Sequence, residues 1–145
     1  GKYISPAPEH YTLANLNLSQ GRLGDLVKEE VAQALEVGRK PYLYVYDESC
    51  PLCSPSIDRY FVDGYFNDGG RLMRSLDGVF LIRIDATFWE TDLQLMGANY
   101  SDIPIIYELD RNGNLTGSYI DSENWDNNPT NESLAVAFEA FFQAK

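Results

Sequence analysis

Tyr42-Leu43-Tyr44-Val45-Tyr46-Asp47-Glu48-Ser49-Cys50-Pro51-Leu52-Cys53 opens as an unbroken apolar run and closes on two thiols three positions apart. Aromatic and β-branched residues at 42–46 predict a strand, and apolar side chains on both of its faces predict a place inside a sheet covered on each side. Asp47, Glu48 and Ser49 turn the chain. A helix is expected to begin near Pro51 to Pro55, since proline is tolerated only in a first turn, and to run through Ile57, Tyr60, Phe61 and Tyr65. Asn67 and Gly70 predict a break or irregular turn after it.

Working outward, Leu23, Leu26, Val27, Val31, Ala34 and Leu35 fall on one stripe of a helix over 22–37, which Gly38 and Pro41 stop. Residues 1–21 carry Pro6 and Pro8 and little periodicity, and read as an arm or a short extra strand ahead of a domain over 22–145. Downstream, Val79-Phe80-Leu81-Ile82-Arg83-Ile84-Asp85 predicts a second strand, and residues 89–96 a short helix ended by Gly97. Ile105 to Leu109 and Leu115 to Ile120 predict a hairpin across Arg111-Asn112-Gly113-Asn114, because Asn-Gly supplies the positive φ of a tight turn. A last helix from Thr130 offers Leu134, Ala137, Phe138, Phe141 and Phe142 to the core. Strands separated by helices require crossovers, so the first two should pair in parallel and the hairpin should add antiparallel strands at one side. The expectation is an α/β fold: a central mixed sheet of four to five strands with helices on both faces.

A chain of 145 residues buries about 70 per cent of its unfolded surface and needs neither disulfides nor metal to fold. Eleven basic against 22 acidic residues give a net charge of -11, which repels phosphate backbones and anionic lipid, so neither nucleic acid nor membrane is an expected partner. Arg83 and Glu139 interrupt the longest apolar runs well short of a membrane span. The chain starts at Gly1 without a basic-then-apolar leader, so two origins are expected: a processed product that has lost its address segment, or an artificially trimmed chain whose Gly1 is a cloning remnant.

Cys50 and Cys53 are the only cysteines. A bridge between them closes four residues, worth about 2 kcal/mol by chain entropy, so it is a poor staple. Close spacing instead suits exchange: one thiolate attacks a disulfide, and its neighbour resolves the mixed disulfide without a second encounter. At a strand's end and a helix's start, free amides and the helix dipole favour the thiolate, making Cys50 the nucleophile and Cys53 the resolving thiol. Asp47 or Glu48 opposes this: at about 6 Å and an effective dielectric near 40 the repulsion is roughly 1.4 kcal/mol, against 0.3–2 kcal/mol from a helix terminus. A modestly acidified Cys50 is expected, fitting a reductase or isomerase better than a strong oxidant.

The strand, Cys-x-x-Cys and helix, followed by Ile103-Pro104-Ile105-Ile106-Tyr107 and an Asn-Gly turn, resemble a thioredoxin-like protein over residues 23–142, most like the extracytoplasmic and thioredoxin-7-type branches. That resemblance implies a thioredoxin-like fold, a cis Pro104 against the dithiol, and Ile103 presenting its backbone to an extended substrate beside Pro51 and Leu52. It implies protein thiols or disulfides as partners, an unidentified redox partner, no cofactor beyond a redox-active Cys50–Cys53 pair, a monomer, and a periplasmic or secreted location. Two positions depart from the family: Ser49 stands where an aromatic residue is common before the first cysteine, and Tyr44 where a buried acid is common. With an ordinary pKa of about 10, Tyr44 is no base near neutrality, so water, Asp47 or Glu48 would have to serve Cys53.

Other features read blandly. His10, the single histidine, lies in the expected arm, and a zinc site would need two ligands beyond the cysteines. Residues 110–114 suggest a calcium loop, but Leu115 holds the position where glycine is needed. Tyr42, Tyr44 and Tyr46 share a face suited to core packing, Trp89 and Trp125 lie in or beside loops where they could face a substrate, and 121–126 reads as a solvated acidic loop. Asn17, Asn99, Asn114 and Asn131 each begin an Asn-x-Ser/Thr acceptor pattern. The expected activity is thiol–disulfide exchange through Cys50-Pro51-Leu52-Cys53; the alternative is a non-catalytic binding module on the same scaffold.

Overall fold

The apolar run at 42–46 lies in the middle of a sheet. The computed structural model describes residues 2–16, 21–48, 55–66, 70–125 and 129–144. These form β1 (Lys2–Tyr3), β2 (Tyr11–Asn15), α1 (Leu23–Glu36), β3 (Lys40–Tyr46), α2 (Pro55–Asp63), α3 (Arg71–Ser75), β4 (Val79–Asp85), α4 (Ala86–Leu95), β5 (Ile105–Leu109), β6 (Leu115–Asp121) and α5 (Asn131–Phe142). The strand order is β1-β2-β4-β3-β5-β6. β3 runs parallel to β4 and antiparallel to β5, and β5 and β6 form the hairpin across the Asn-Gly turn.

The described residues form six strands, not four to five, because residues 1–21, read as an arm or a short extra strand, supply two. Tyr11 to Asn15 run parallel to Val79 to Arg83, and Lys2 and Tyr3 fold back antiparallel onto that strand. Tyr11, Leu13 and Ala14 are fully buried. The prolines that weaken periodicity at 6 and 8 occupy only the connection between β1 and β2.

Both faces of the sheet are covered, and period-two alternation divides each strand between two cores. Tyr42, Tyr44 and Tyr46 pack with Tyr11, Leu81, Ile106 and α2, α3 and α5 residues such as Ile57, Phe61, Leu72 and Phe138. Leu43 and Val45 pack with Phe80, Ile82, Ile84 and Ile105 against α1 and α4. Tyr44 meets Phe61 edge to face at 5.0 Å between centroids, and Phe61 stacks on Phe138 at 5.6 Å.

Several element ends differ from expectation. α2 stops at Asp63 because Gly64 adopts φ 73°, and Tyr65, read as part of its apolar face, is exposed. The five-residue α3 follows the break, of which residues 67–69 lie outside the described residues. On α1, Leu35 is exposed and Glu30 is buried instead, its carboxylate accepting from the Tyr3 hydroxyl at 3.3 Å. Arg22 supplies no capping side chain, and Asp92 of α4 takes that place, accepting from the Leu23 amide and from the Arg22 guanidinium, each at 2.8 Å. Thr130 and Ser133 cap α5 reciprocally. Residues 110–114 are a turn, with Asp110 Oδ1 accepting from the amides of Asn112 and Asn114. Asp121, expected in a solvated loop, is buried and accepts from the Glu123 amide.

Candidate functional site

Three elements end together where β3 finishes. The last paired residues of β3 and β5 are Val45 and Ile105, so Pro104 precedes the pairing beside Tyr46. Tyr46 is also paired with Asp85 of β4, and α4 starts at the next residue. Asp85 caps α4 by accepting from the Thr87 amide at 3.0 Å, and the Thr87 hydroxyl donates to Asp47 Oδ1 at 2.8 Å, fastening the exit of β3 to the first turn of α4. The Ile103–Pro104 peptide is cis, with Pro104 buried and Ile103 half-buried. Cys50, Pro51, Leu52 and Cys53, read as the catalytic and substrate-binding residues, lie outside the described residues, as does Ser49.

Beneath this end of the sheet lies a polar group that the sequence reading missed. Arg83 emerges from the middle of β4 on the tyrosine face and is nearly buried. Its Nε and Nη2 donate to the two carboxylate oxygens of Asp58 at 3.0 and 2.8 Å, a bidentate pair, while Nη1 donates to Asn15 Oδ1 at 2.7 Å. The guanidinium carbon lies 3.6 Å from the centre of the Tyr46 ring. Tyr44 donates its hydroxyl to Asp58 Oδ1 at 2.7 Å. Burial opposes the charge on Arg83, but its hydrogen bond and proximity to Asp58 prevail and hold its pKa above the ordinary value. Burial, reinforced by Asp58, pushes the Tyr44 hydroxyl well above its ordinary pKa, so it remains a donor. α2 thus brings a carboxylate, Asp58, to Tyr44 five residues after Cys53 in the chain.

Two cavities are lined by described residues. One of about 220 Å3 lies between α4 and the loop preceding Pro104, lined by Glu90, Gln94, Ala98, Asn99 and Tyr100. The Tyr100 hydroxyl has a raised pKa, first from burial and then from the carboxylates of Glu90 and Asp47, and Glu90 lies three residues along α4 from Thr87, which holds Asp47 at the exit of β3. The other, about 370 Å3, opens between β2 and α1 against Tyr3, Pro8, Val37 and Phe80; among the described residues only the Tyr3 phenol lines it with a titratable side chain, so these residues offer contact but little chemistry.

The tryptophans are not available to a substrate: Trp89 is buried in the α4 core, and Trp125 packs edge-on against Phe138. Phe88, on the first turn of α4, is the exposed aromatic at this end, 57% accessible. His10 pairs with Asp77 on the surface. Among the described residues no group of three His, Cys, Asp or Glu side chains could hold a metal ion, and no helix is long and apolar enough to cross a membrane. Neither a family model nor a curated protein sequence matches the chain.

Proposed function

We propose that the protein is a thiol–disulfide oxidoreductase built on a thioredoxin-like fold, acting on protein disulfides as a reductase or isomerase. One observation carries this reading: the β3–β5 register brings Pro104 beside Tyr46, the last residue of the strand whose chain continues through Asp47 and Glu48 to Cys50, while α2 begins two residues after Cys53. The order β2-β4-β3-β5-β6, with two parallel and two antiparallel pairings and helices on both faces, supports the fold assignment.

In the proposed cycle the Cys50 thiolate attacks one sulfur of a substrate disulfide, forming a mixed disulfide and expelling the other substrate sulfur as a thiolate, which takes up a proton. The Cys53 thiol loses its proton, attacks Cys50 Sγ and releases the second substrate thiolate. Two electrons have then passed to the substrate, leaving a Cys50–Cys53 disulfide that an external dithiol must reduce. Asp58, held by Arg83 and Tyr44, is the carboxylate we assign to proton exchange in the second step. Ile103 offers its backbone to an extended substrate segment, with Pro51 and Leu52 flanking the sulfurs.

Insulin reduction driven by dithiothreitol tests the reading. Turnover above background that is abolished in Cys50→Ser is the expected result. A wild-type rate equal to that of Cys50→Ser removes the enzymatic reading and leaves the non-catalytic binding module.

A further inference from the structure

The cavity beside the loop that precedes Pro104 carries an inference about what the protein acts on, and it rests on the thiol–disulfide reading. Small-molecule sites measure roughly 300–1,000 Å3, and at about 220 Å3 this cavity suits the end of one side chain better than a whole ligand. Among the described residues its lining offers the Glu90 carboxylate, two side-chain amides and the Tyr100 phenol, and no lysine or arginine. Glu90 is exposed and makes no ion pair with a base among the described residues. Arg22, the base that reaches α4 from the start of α1, is engaged by Asp92. An anionic occupant would meet the carboxylate of Glu90 with that of Asp47 close behind, whereas an ammonium or guanidinium group, which only donates, finds acceptors around it.

We propose that this cavity is a subsite for a lysine or arginine side chain of the polypeptide whose disulfide is exchanged, so that the preferred substrates are segments with a basic residue near the reacting cysteine. Glu90 supplies the charge, and Gln94, Asn99 and Tyr100 supply neutral acceptors. Asp47 and Glu48, which precede Cys50 in the chain, add the same sign of potential, which raises the encounter rate of basic segments and lowers that of acidic ones.

The test uses three disulfide-bridged peptides identical except for lysine, alanine or glutamate flanking one cysteine, each reduced by the full chain with dithiothreitol as electron donor. The lysine peptide is expected to show a kcat/KM about two- to fivefold above the alanine peptide, the range of one exposed ion pair, and about tenfold above the glutamate peptide at low salt. Added salt should shrink both ratios. Glu90→Gln should raise KM for the lysine peptide and bring it close to the alanine peptide. Glu36→Gln, the same change of charge at the far end of α1, should leave the preference in place. Equal rates for lysine and glutamate peptides, or a preference that Glu36→Gln weakens as much as Glu90→Gln, overturn the subsite. Failure of all three peptides to turn over is a different result, and it removes the underlying exchange activity.

Discussion

Arg83 shows what a single residue can conceal. In the sequence it is one base among Val79-Phe80-Leu81-Ile82 and Ile84, where it reads only as a break in an apolar run. In the fold it is the centre of a group that joins β2, β3, β4 and α2 through Asn15, Tyr44, Tyr46 and Asp58. Asp58 was equally silent, because a carboxylate in the first turn of a helix is commonplace and its partner lies 25 residues away. Removing it strands a nearly buried cation. Asp58→Ala is therefore expected to cost roughly 2–4 kcal/mol, read as a lower denaturant midpoint with little change in slope. A loss below about 0.5 kcal/mol would mean that Arg83 finds water or another partner. Asp58→Asn, which keeps hydrogen-bonding capacity, should retain more stability than Asp58→Ala while slowing release of the reduced substrate if Asp58 exchanges protons as proposed.

At the level of elements, legibility followed the length and strength of the periodic signal. β3 and β4 were readable because their apolar runs are continuous, and α5 because Thr130 announces its start. α3 spans five residues, too few for a helical period to declare itself, and the end of α2 was hidden because Tyr65 and Phe66 continue an apolar pattern past the glycine that breaks the helix. β2 was obscured by the prolines before it and by having its partner strand far along the chain. Caps supplied from another element are invisible for the same reason. Asp92 serves α1 from α4, so Asp92→Ala should cost about 1 kcal/mol or slightly more, as loss of a helix cap does, and hydrogen exchange should quicken first in the amides of the opening turn of α1. Exchange that quickens only within α4 would contradict this division of labour.

For the molecule as a whole, the unusual quantity of tyrosine sets a response to alkali. Tyr11, Tyr42, Tyr44, Tyr46 and Tyr107 all have raised pKa values, with burial the first cause in each. The unfolded chain ionises these phenols near pH 10, before the folded chain does. Their contribution is intact below that pH and falls as pH rises through the higher folded values, because the folded state then holds more protons than the unfolded one. Tyrosinate absorbance is expected to lag and then to rise together with loss of the fold. Complete ionisation by about pH 10–11 with the fold unchanged would contradict the burial of these rings. The two-sided sheet and most helices could be read from the sequence, and the exit of β3 could be located. The flank of that exit could not, since Glu90, Thr87 and Tyr100 acquire meaning only once α4 and the following loop are folded against Asp47.

The parallel pairing of β2 with β4 also sets an order of events during synthesis. Asn15 meets Arg83 across a separation of 68 residues, and at 5–20 residues per second the ribosome needs roughly 3–14 seconds to make the intervening polypeptide. Throughout that interval the newborn segment holding Tyr11, Leu13 and Ala14 has only the two-residue β1 beside it and lacks the longer strand that covers its other edge, so a chaperone's cover is most useful to this portion of the nascent chain until Val79 to Arg83 emerge.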